Sequence, residues 1–354
     1  MVLPAPPNGR PAVQIGNPVE PLLDDQWGSY LGYHRSGIAK TSGGGTQRES
    51  VLTEVRDLSK PWPFTAPTIE KYRQVSESKR LRSPTPWFLD NGPLTPPGFG
   101  IEFPAVFKPR PGLDPPGTDI YVAKAMKYPY APDTYLAFPS VYFHYYKDGP
   151  WPRRLLAAPV RNRGLGVVET QLATSRDGVH WRRFPRPTYI GMENREDRHI
   201  HQAYIAYGMV RRGNEIWQYY YGTEDYHTSW KENKKKRGVY RVVQKVDRFV
   251  SVESPYDRCG TLVTKPLTFK GNRLLLNIDT DAAGYTQVGF LDENGDPVEG
   301  FDVEDCIYIN GDFMDTEVEW IDKGKDLSEL EGKPVQLVFR MRGSRLYSMR
   351  FTKQ

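Results

Sequence analysis

Asp119-Ile120-Tyr121-Val122, Tyr135-Leu136-Ala137-Phe138, Val141-Tyr142-Phe143-His144-Tyr145-Tyr146 and the run from Glu169 through Ser175-Arg176-Asp177-Gly178 to Trp181 decide the fold. Each is rich in β-branched and aromatic residues, and Pro, Gly and Asp separate them. They read as three or four antiparallel strands in one meander. Ser175-Arg176-Asp177-Gly178 is a tight turn, because Asp bonds its own backbone and Gly accepts a positive φ. Trp181 starts the last strand and pins it to its neighbours. A meander of this length is the size of one propeller blade.

The same order appears on either side. Upstream, Asn17 to Leu23, a turn at Asp24-Asp25-Gln26, Tyr30 to Arg35, a loop at Gly43-Gly44-Gly45 and Arg48 to Val55 lead to Asp57 and Trp62. Downstream, Gln202 to Val210, a turn at Arg212-Gly213-Asn214-Glu215, Ile216 to Tyr221 and Gly238 to Lys245 lead to Asp247 and Phe249. A repeat on this scale means a propeller or an array. Residues 63–118 read as a long irregular insertion, and Trp87, Phe88, Phe99 and Phe103 argue against a disordered linker.

From Gly260 the texture changes to short strands: Leu262-Val263, Leu274 to Ile278, Gln287 to Leu291, Val318 to Trp320, Val335 to Phe339 and Leu346 to Met349, with a hairpin-type turn at Asp292-Glu293-Asn294-Gly295. The fold class is therefore all-β: a partial five-bladed-type β-propeller over residues 1–258, followed by a β-sandwich over residues 259–354.

Composition agrees. The 354 residues hold 32 Gly and 31 Pro, which favours many turns and few long helices. Aromatics reach 13%, with 22 Tyr and 8 Trp, which suits sheet cores and also suits a sugar binder. The net charge of +5 is mild, and the one dense run, Lys234-Lys235-Lys236-Arg237, reads as a solvated loop, not a nucleic-acid stripe. No run of 18 apolar residues spans a membrane. The first seven residues lack the basic start and apolar core of a signal peptide, so the protein is either cytoplasmic or has lost a signal. Cys259 and Cys306 either form one disulfide or stand as two free thiols. No Ser/His/Asp triad signature, phosphate loop or dinucleotide fingerprint stands out.

Asp119-Ile120-Tyr121, Lys127-Tyr128-Pro129-Tyr130-Ala131, Phe138-Pro139-Ser140, Leu172 through Trp181, and the tail from Thr264-Lys265-Pro266-Leu267 through Leu346 to Phe351 together resemble one group. It is the family-32-like glycosyl hydrolases of environmental bacteria, related to the β-fructosidases and arabinanases of families 32 and 43. The resemblance covers nearly all of residues 9–354. It implies a five-bladed propeller with an axial funnel, into which acids at the starts of the innermost strands point. It also implies an extracellular or periplasmic protein that degrades polysaccharide. Only three blade units are visible, so two are expected to be missing before Asn17, and another chain or a second copy would then cover the open blade edges.

Glycoside cleavage needs two carboxyl groups flanking the bond, one protonated and one ionised. Asp119 is the first choice, at the start of the innermost strand of the central blade; the bland alternative is a turn residue capping backbone amides. Glu20 occupies the corresponding place in the first unit, where the resemblance implies an acid at the position of Asn17. Glu169 stands where the group tends to show Asp. Glu193, Glu196 and Asp197 form an acidic loop. His199, His201, Glu224, Asp225 and His227 match no strong metal spacing. Hydrogen bonding to sugar hydroxyls fits them better. Arg35, Tyr121, His201, Tyr220, Glu224 and His227 are the expected substrate contacts, and Asp177 is a turn residue. The expected partner is a carbohydrate, with no cofactor and no metal. The expected function is hydrolysis of terminal glycosidic bonds; the rivals are a non-catalytic carbohydrate-binding module and an interaction propeller.

Overall fold

The computed structural model describes residues 16–39, 46–59, 105–110, 112–115, 118–144, 166–184, 188–195, 198–227 and 236–353. The triple-glycine loop, Trp62, most of the 63–118 insertion with its four aromatics, Glu196, Asp197, Lys234 and Lys235 lie outside them, as do the side chains of Asn17, Glu20 and His199. The described residues form strands and turns, with one 3-10 turn at Val303–Asp305. The all-β class is thus what the chain adopts. Among the described residues no helix is long and apolar enough to cross a membrane. Two compact units divide the chain: Met1–Met209 with Gln218–Val242, and Val210–Trp217 with Val243–Gln354.

The first unit opens with β1 (Gly16–Asp24), β2 (Ser29–Ala39), β3 (Thr46–Val55) and β4 (Ala105–Phe107), which pair antiparallel in sequence order. Asp24 makes the first turn, its Oδ1 accepting from the backbone N–H groups of Gln26 and Trp27 at 2.9 and 3.0 Å.

The central stretch then runs through β5 (Thr118–Val122), β6 (Ala125–Lys127), β7 (Tyr135–Ala137), β8 (Ser140–His144), β9 (Gly166–Gln171) and β10 (Ala173–Ser175). It is not the single meander that its composition suggests. Strands β5, β8 and β9 pair in one sheet, and β6, β7 and β10 in another. The breaks fall together, after Val122, after Ala137 and at Leu172. Lys124 adopts a φ of 48°, outside the strand region. Pro139 has no N–H to give a ladder, and its carbonyl accepts from Gln171 N at 3.0 Å.

The turn at Asp177 is built as its sequence suggests. Asp177 Oδ1 accepts from Val179 N and His180 N at 2.9 and 2.7 Å, and Gly178 takes a φ of 72°. Trp181 does not start a strand. It is buried with Tyr33, Leu31, Leu52, Phe107, Ile120, Tyr135 and Val141, and its Nε1 donates to Gly178 O at 3.0 Å. Truncating such a buried indole typically costs about 3–5 kcal/mol.

The chain continues through β11 (Thr188–Ile190), which pairs with β9, the hairpin β12 (Glu193–Arg195) and β13 (Arg198–Ile200), and β14 (Gln202–Ile205). Strand β14 runs parallel to β9, with Gln202 beside Val168. β15 (Val210–Arg212), β16 (Glu215–Thr223) and β17 (Arg237–Lys245) follow. Residues 220–223 of β16 pair antiparallel with β14.

The second unit adds β18 (Val252–Ser254), β19 (Gly260–Val263), β20 (Arg273–Leu291), β21 (Asp312–Glu317) and β22 (Gln336–Thr352). Here two pairs of expected short strands are continuous. Strand β20 carries both Leu274 to Ile278 and Gln287 to Leu291, and β22 both Val335's neighbours and Leu346 to Met349. The ladder breaks register between Thr280 and Tyr285, a bulge rather than a turn. At that bulge Gly284 faces Gly343, and a Cβ on Gly284 would meet Gly343 O at 2.1 Å. The core packs Leu274, Leu276, Ile278, Phe290, Trp320 and Phe339 together. Cys259 is exposed and Cys306 buried, and both are free thiols.

Candidate functional site

The site lies in the first unit, on one face of the β5-β8-β9-β14 sheet. Asp119 stands opposite Tyr142, Tyr142 opposite Val168, and Val168 beside Gln202. Directly paired residues share a face, and alternate residues along a strand return to it. Tyr142 and His144 on β8, and Gln202 and Tyr204 on β14, therefore project on the side of Asp119. Tyr121 sits where the β5–β8 register slips by one residue.

Asp119 is the floor, 1% exposed. Its Oδ1 accepts from the backbone N of Arg48 at 3.0 Å, and its Oδ2 accepts from Arg48 Nη1 and from His144 Nε2, both at 2.8 Å. Burial works to raise its pKa, but the His144 and Arg48 interactions outweigh burial and hold the carboxyl below the usual range. It is therefore ionised at neutral pH. Arg48 and His144 are 28% and 25% exposed, so the floor opens upward through them.

Aromatic rings form the wall. Tyr142 lies 3.9 Å from His144 and 4.3 Å from His227, centroid to centroid. Tyr121 lies 5.4 Å from His227 and 6.4 Å from Tyr204. The guanidinium carbons of Arg35 and Arg48 sit 4.7 and 5.1 Å from the Tyr121 ring centroid. Burial, with the Arg48 guanidinium and the neighbouring His144 acting in the same direction, pushes His227 down to about 4, so its ring is neutral. Its backbone N donates to Gly166 O at 3.0 Å, while its Nδ1 is shut off from solvent with no hydrogen-bond partner among the described residues.

The structure thus brings together Asp119, Tyr121, Arg35 and His227. It adds Arg48, Tyr142, His144 and Tyr204, which the sequence alone did not single out. The available signal was alternation: Tyr142 and His144 are two apart on a strand that pairs with Asp119.

The other expected residues lie elsewhere. Glu169 is paired with Val141, on the opposite face of the sheet, and accepts from Gln171 Nε2 at 2.7 Å and Thr188 Oγ1 at 3.2 Å. Tyr220 pairs with Ile205, one step out of phase with Tyr204, and stacks on Tyr240 at 5.3 Å. His201 stacks on Tyr226 at 4.2 Å and donates from Nδ1 to the carbonyl of Glu224 at 2.7 Å. The Glu224 carboxylate accepts from Lys236 N at 3.3 Å. The backbone of Glu20 pairs with Tyr33 on β2. Among the described residues no group of three His, Cys, Asp or Glu side chains could hold a metal ion.

Compared with known proteins, the chain matches no family model and no curated protein. Among solved structures it is similar to a glycoside hydrolase family 43 arabinoxylan arabinofuranohydrolase from Bacillus subtilis, solved in complex with cellotetraose. The identity is 11% and the TM-score 0.24, over 98% of this chain and 71% of that one. A TM-score of that size carries no argument about activity, which must come from the residues themselves.

Proposed function

We propose that the Asp119 face binds a sugar, and that the protein is a glycosidase-like protein acting on terminal glycosidic bonds of a poly- or oligosaccharide. In this reading the first unit belongs to a propeller of the five-bladed type and the second is a sandwich. The observation that carries it is a buried, ionised carboxylate beneath the partly exposed Arg48 and His144, beside a cluster of Tyr and His rings. Flat rings stack on the apolar faces of sugars, and Arg and His hydrogen-bond their hydroxyls. Asp119 is the ionised carboxylate of the mechanism. It is not the proton donor, because Arg48 and His144 hold its proton off.

Cleavage also requires a second, protonated carboxyl. Among the described side chains of this cluster Asp119 is the one carboxylate, which favours a second reading, a carbohydrate-binding protein without turnover. In the hydrolytic reading Glu20, whose strand is two places from Arg48's, supplies the second group.

The test is a panel of poly- and oligosaccharides with the whole chain, reading both binding and released reducing sugar. Variants Asp119→Asn, Glu20→Gln and Tyr204→Ala run alongside, with circular dichroism as the check on folding. Release by the parent that both carboxyl variants lose establishes hydrolysis. Binding without release, weakened by Tyr204→Ala, establishes the second reading. A folded chain that binds no sugar rejects both.

A further inference from the structure

We propose that the sugar held at the Asp119 face is acidic, and that Arg35 grips its carboxylate. This rests on the sugar-binding reading above and names the class of sugar.

The charges of the face do not cancel. Asp119 is committed to Arg48 and His144 through both oxygens. That leaves Arg35. It is half-buried on β2, and its guanidinium carbon lies 4.7 Å over Tyr121. No carboxylate among the described residues meets it. Packing over the phenol ring orients the guanidinium, and its hydrogen-bond donors find no partner among the described residues. Arg48 lies against the same ring at 5.1 Å, so two cations meet Tyr121, and the carboxylate of the face is bonded to Arg48. An arriving anion offsets the positive charge that Arg35 leaves on this face.

The neighbours select for an anionic sugar rather than a bare anion. Arg48, 28% exposed and bonded to Asp119 through one guanidinium nitrogen, has further donors beside Tyr121 suited to a hydroxyl. The half-buried rings of Tyr121 and Tyr204 give an apolar surface that an inorganic ion does not use. A planar carboxylate matches the fork of a guanidinium with two parallel hydrogen bonds, whereas a neutral sugar offers only single hydroxyls. A uronic acid unit carries all three features: carboxylate, hydroxyls and an apolar ring face.

The experiment is titration calorimetry of the whole chain with oligogalacturonate and oligoglucuronate. The controls are the same oligosaccharides with their carboxyls reduced to alcohols, a sulfated neutral oligosaccharide, and free galacturonate, acetate and sulfate. Wild type, Arg35→Met and Arg35→Lys are compared, each checked for native circular dichroism. The expected result is at least tenfold tighter binding of one uronate oligosaccharide than of its reduced form, with the preference weakening as salt rises. Arg35→Met brings that preference within about twofold, and Arg35→Lys, which keeps charge but not the fork, leaves it in between.

Equal affinity for acid and reduced forms overturns the proposal while leaving sugar binding in place. So does a preference for the sulfated sugar over the uronate, or binding of acetate and sulfate as tight as that of uronate. Failure to bind any sugar overturns it together with the reading it rests on. Should Arg35→Met not fold, the wild-type comparison of acid with reduced sugar, and Arg35→Lys, decide the matter.

Discussion

Arg48 holds Asp119 at both oxygens, its backbone N on Oδ1 at 3.0 Å and its Nη1 on Oδ2 at 2.8 Å. One residue of β3 thus meets both oxygens of a carboxylate 71 positions away, and together with His144 keeps it ionised. Removing the guanidinium by Arg48→Met leaves a carboxylate at 1% exposure with one fewer cation. Breaking a buried pair from one side costs 3–5 kcal/mol, and partial exposure of Arg48 lowers that to about 2–3 kcal/mol. Urea unfolding should show that loss. The double variant with Asp119→Asn should lose clearly less than the two single losses added, because the residues share one interaction.

Two histidines of the first unit are held neutral. Burial pushes His34 and His227 each down to about 4. The unfolded chain protonates both near 6.5. The unfolded state therefore binds more protons between about pH 6.5 and 4, and stability is fully present above that window and lost as pH falls through it. Each ring contributes about 3 kcal/mol in total across the window. Asp119 acts lower, since its depressed pKa keeps its contribution until the pH falls below the ordinary carboxylate range. Thermal unfolding from pH 7.5 to 4 should show a falling Tm. His227→Phe should flatten that fall without removing it, because His34 remains. A Tm independent of pH across the window would contradict the assignment.

Tyr33 donates to the carbonyl of Gly178 at 2.7 Å, and Trp181 Nε1 donates to the same oxygen at 3.0 Å. The turn thus locks β2 to the central stretch. Gly178 has a φ of 72°, and a Cβ there would lie 2.8 Å from the Tyr33 hydroxyl oxygen. Gly178→Ala should cost about 2–3 kcal/mol, part from the left-handed backbone and part from the clash. Adding Tyr33→Phe removes the clashing atom. The double variant should then lose less than the sum in urea unfolding, a non-additivity that backbone strain alone does not produce.

The all-β class was legible because Val, Ile, Tyr and Phe runs broken by Gly, Pro and Asp have one common outcome. The turns at Asp24 and Asp177 were legible because their acceptors lie two or three residues from the donors. The split of the central stretch into two sheets was not, since it depends on Lys124, Pro139 and Leu172 breaking at one level in three separate strands. The site was legible in part for the same reason. Tyr121 and Asp119 stand two apart on one strand, and a reading of that strand finds both. Arg48 joins them only through the packing of β3 beside β5, which no local pattern encodes. Glu169 looked equivalent to Asp119, yet a one-residue difference of phase places it on the other face.

Gly284 and Gly343 show the same limit in the second unit, and they make a sharp prediction. The sequence separates Leu274 to Ile278 from Gln287 to Leu291 as two short strands, but Asp281-Ala282-Ala283-Gly284 between them is a bulge within β20. A Cβ at Gly284 would lie 2.1 Å from Gly343 O and 2.8 Å from Arg342 O. Both are backbone atoms of the paired strand, so no side chain can swing aside. Gly284→Ala must push β20 and β22 apart at the bulge and should cost about 3 kcal/mol or more. Gly295 provides the comparison: its φ is 86°, but a Cβ there meets nothing within 4 Å. Gly295→Ala should lose only the left-handed backbone preference, about 1–2 kcal/mol. Equal losses for the two variants in urea unfolding would mean that β20 and β22 do not run continuously past each other at this point, and that the short-strand reading of the second unit is the better one.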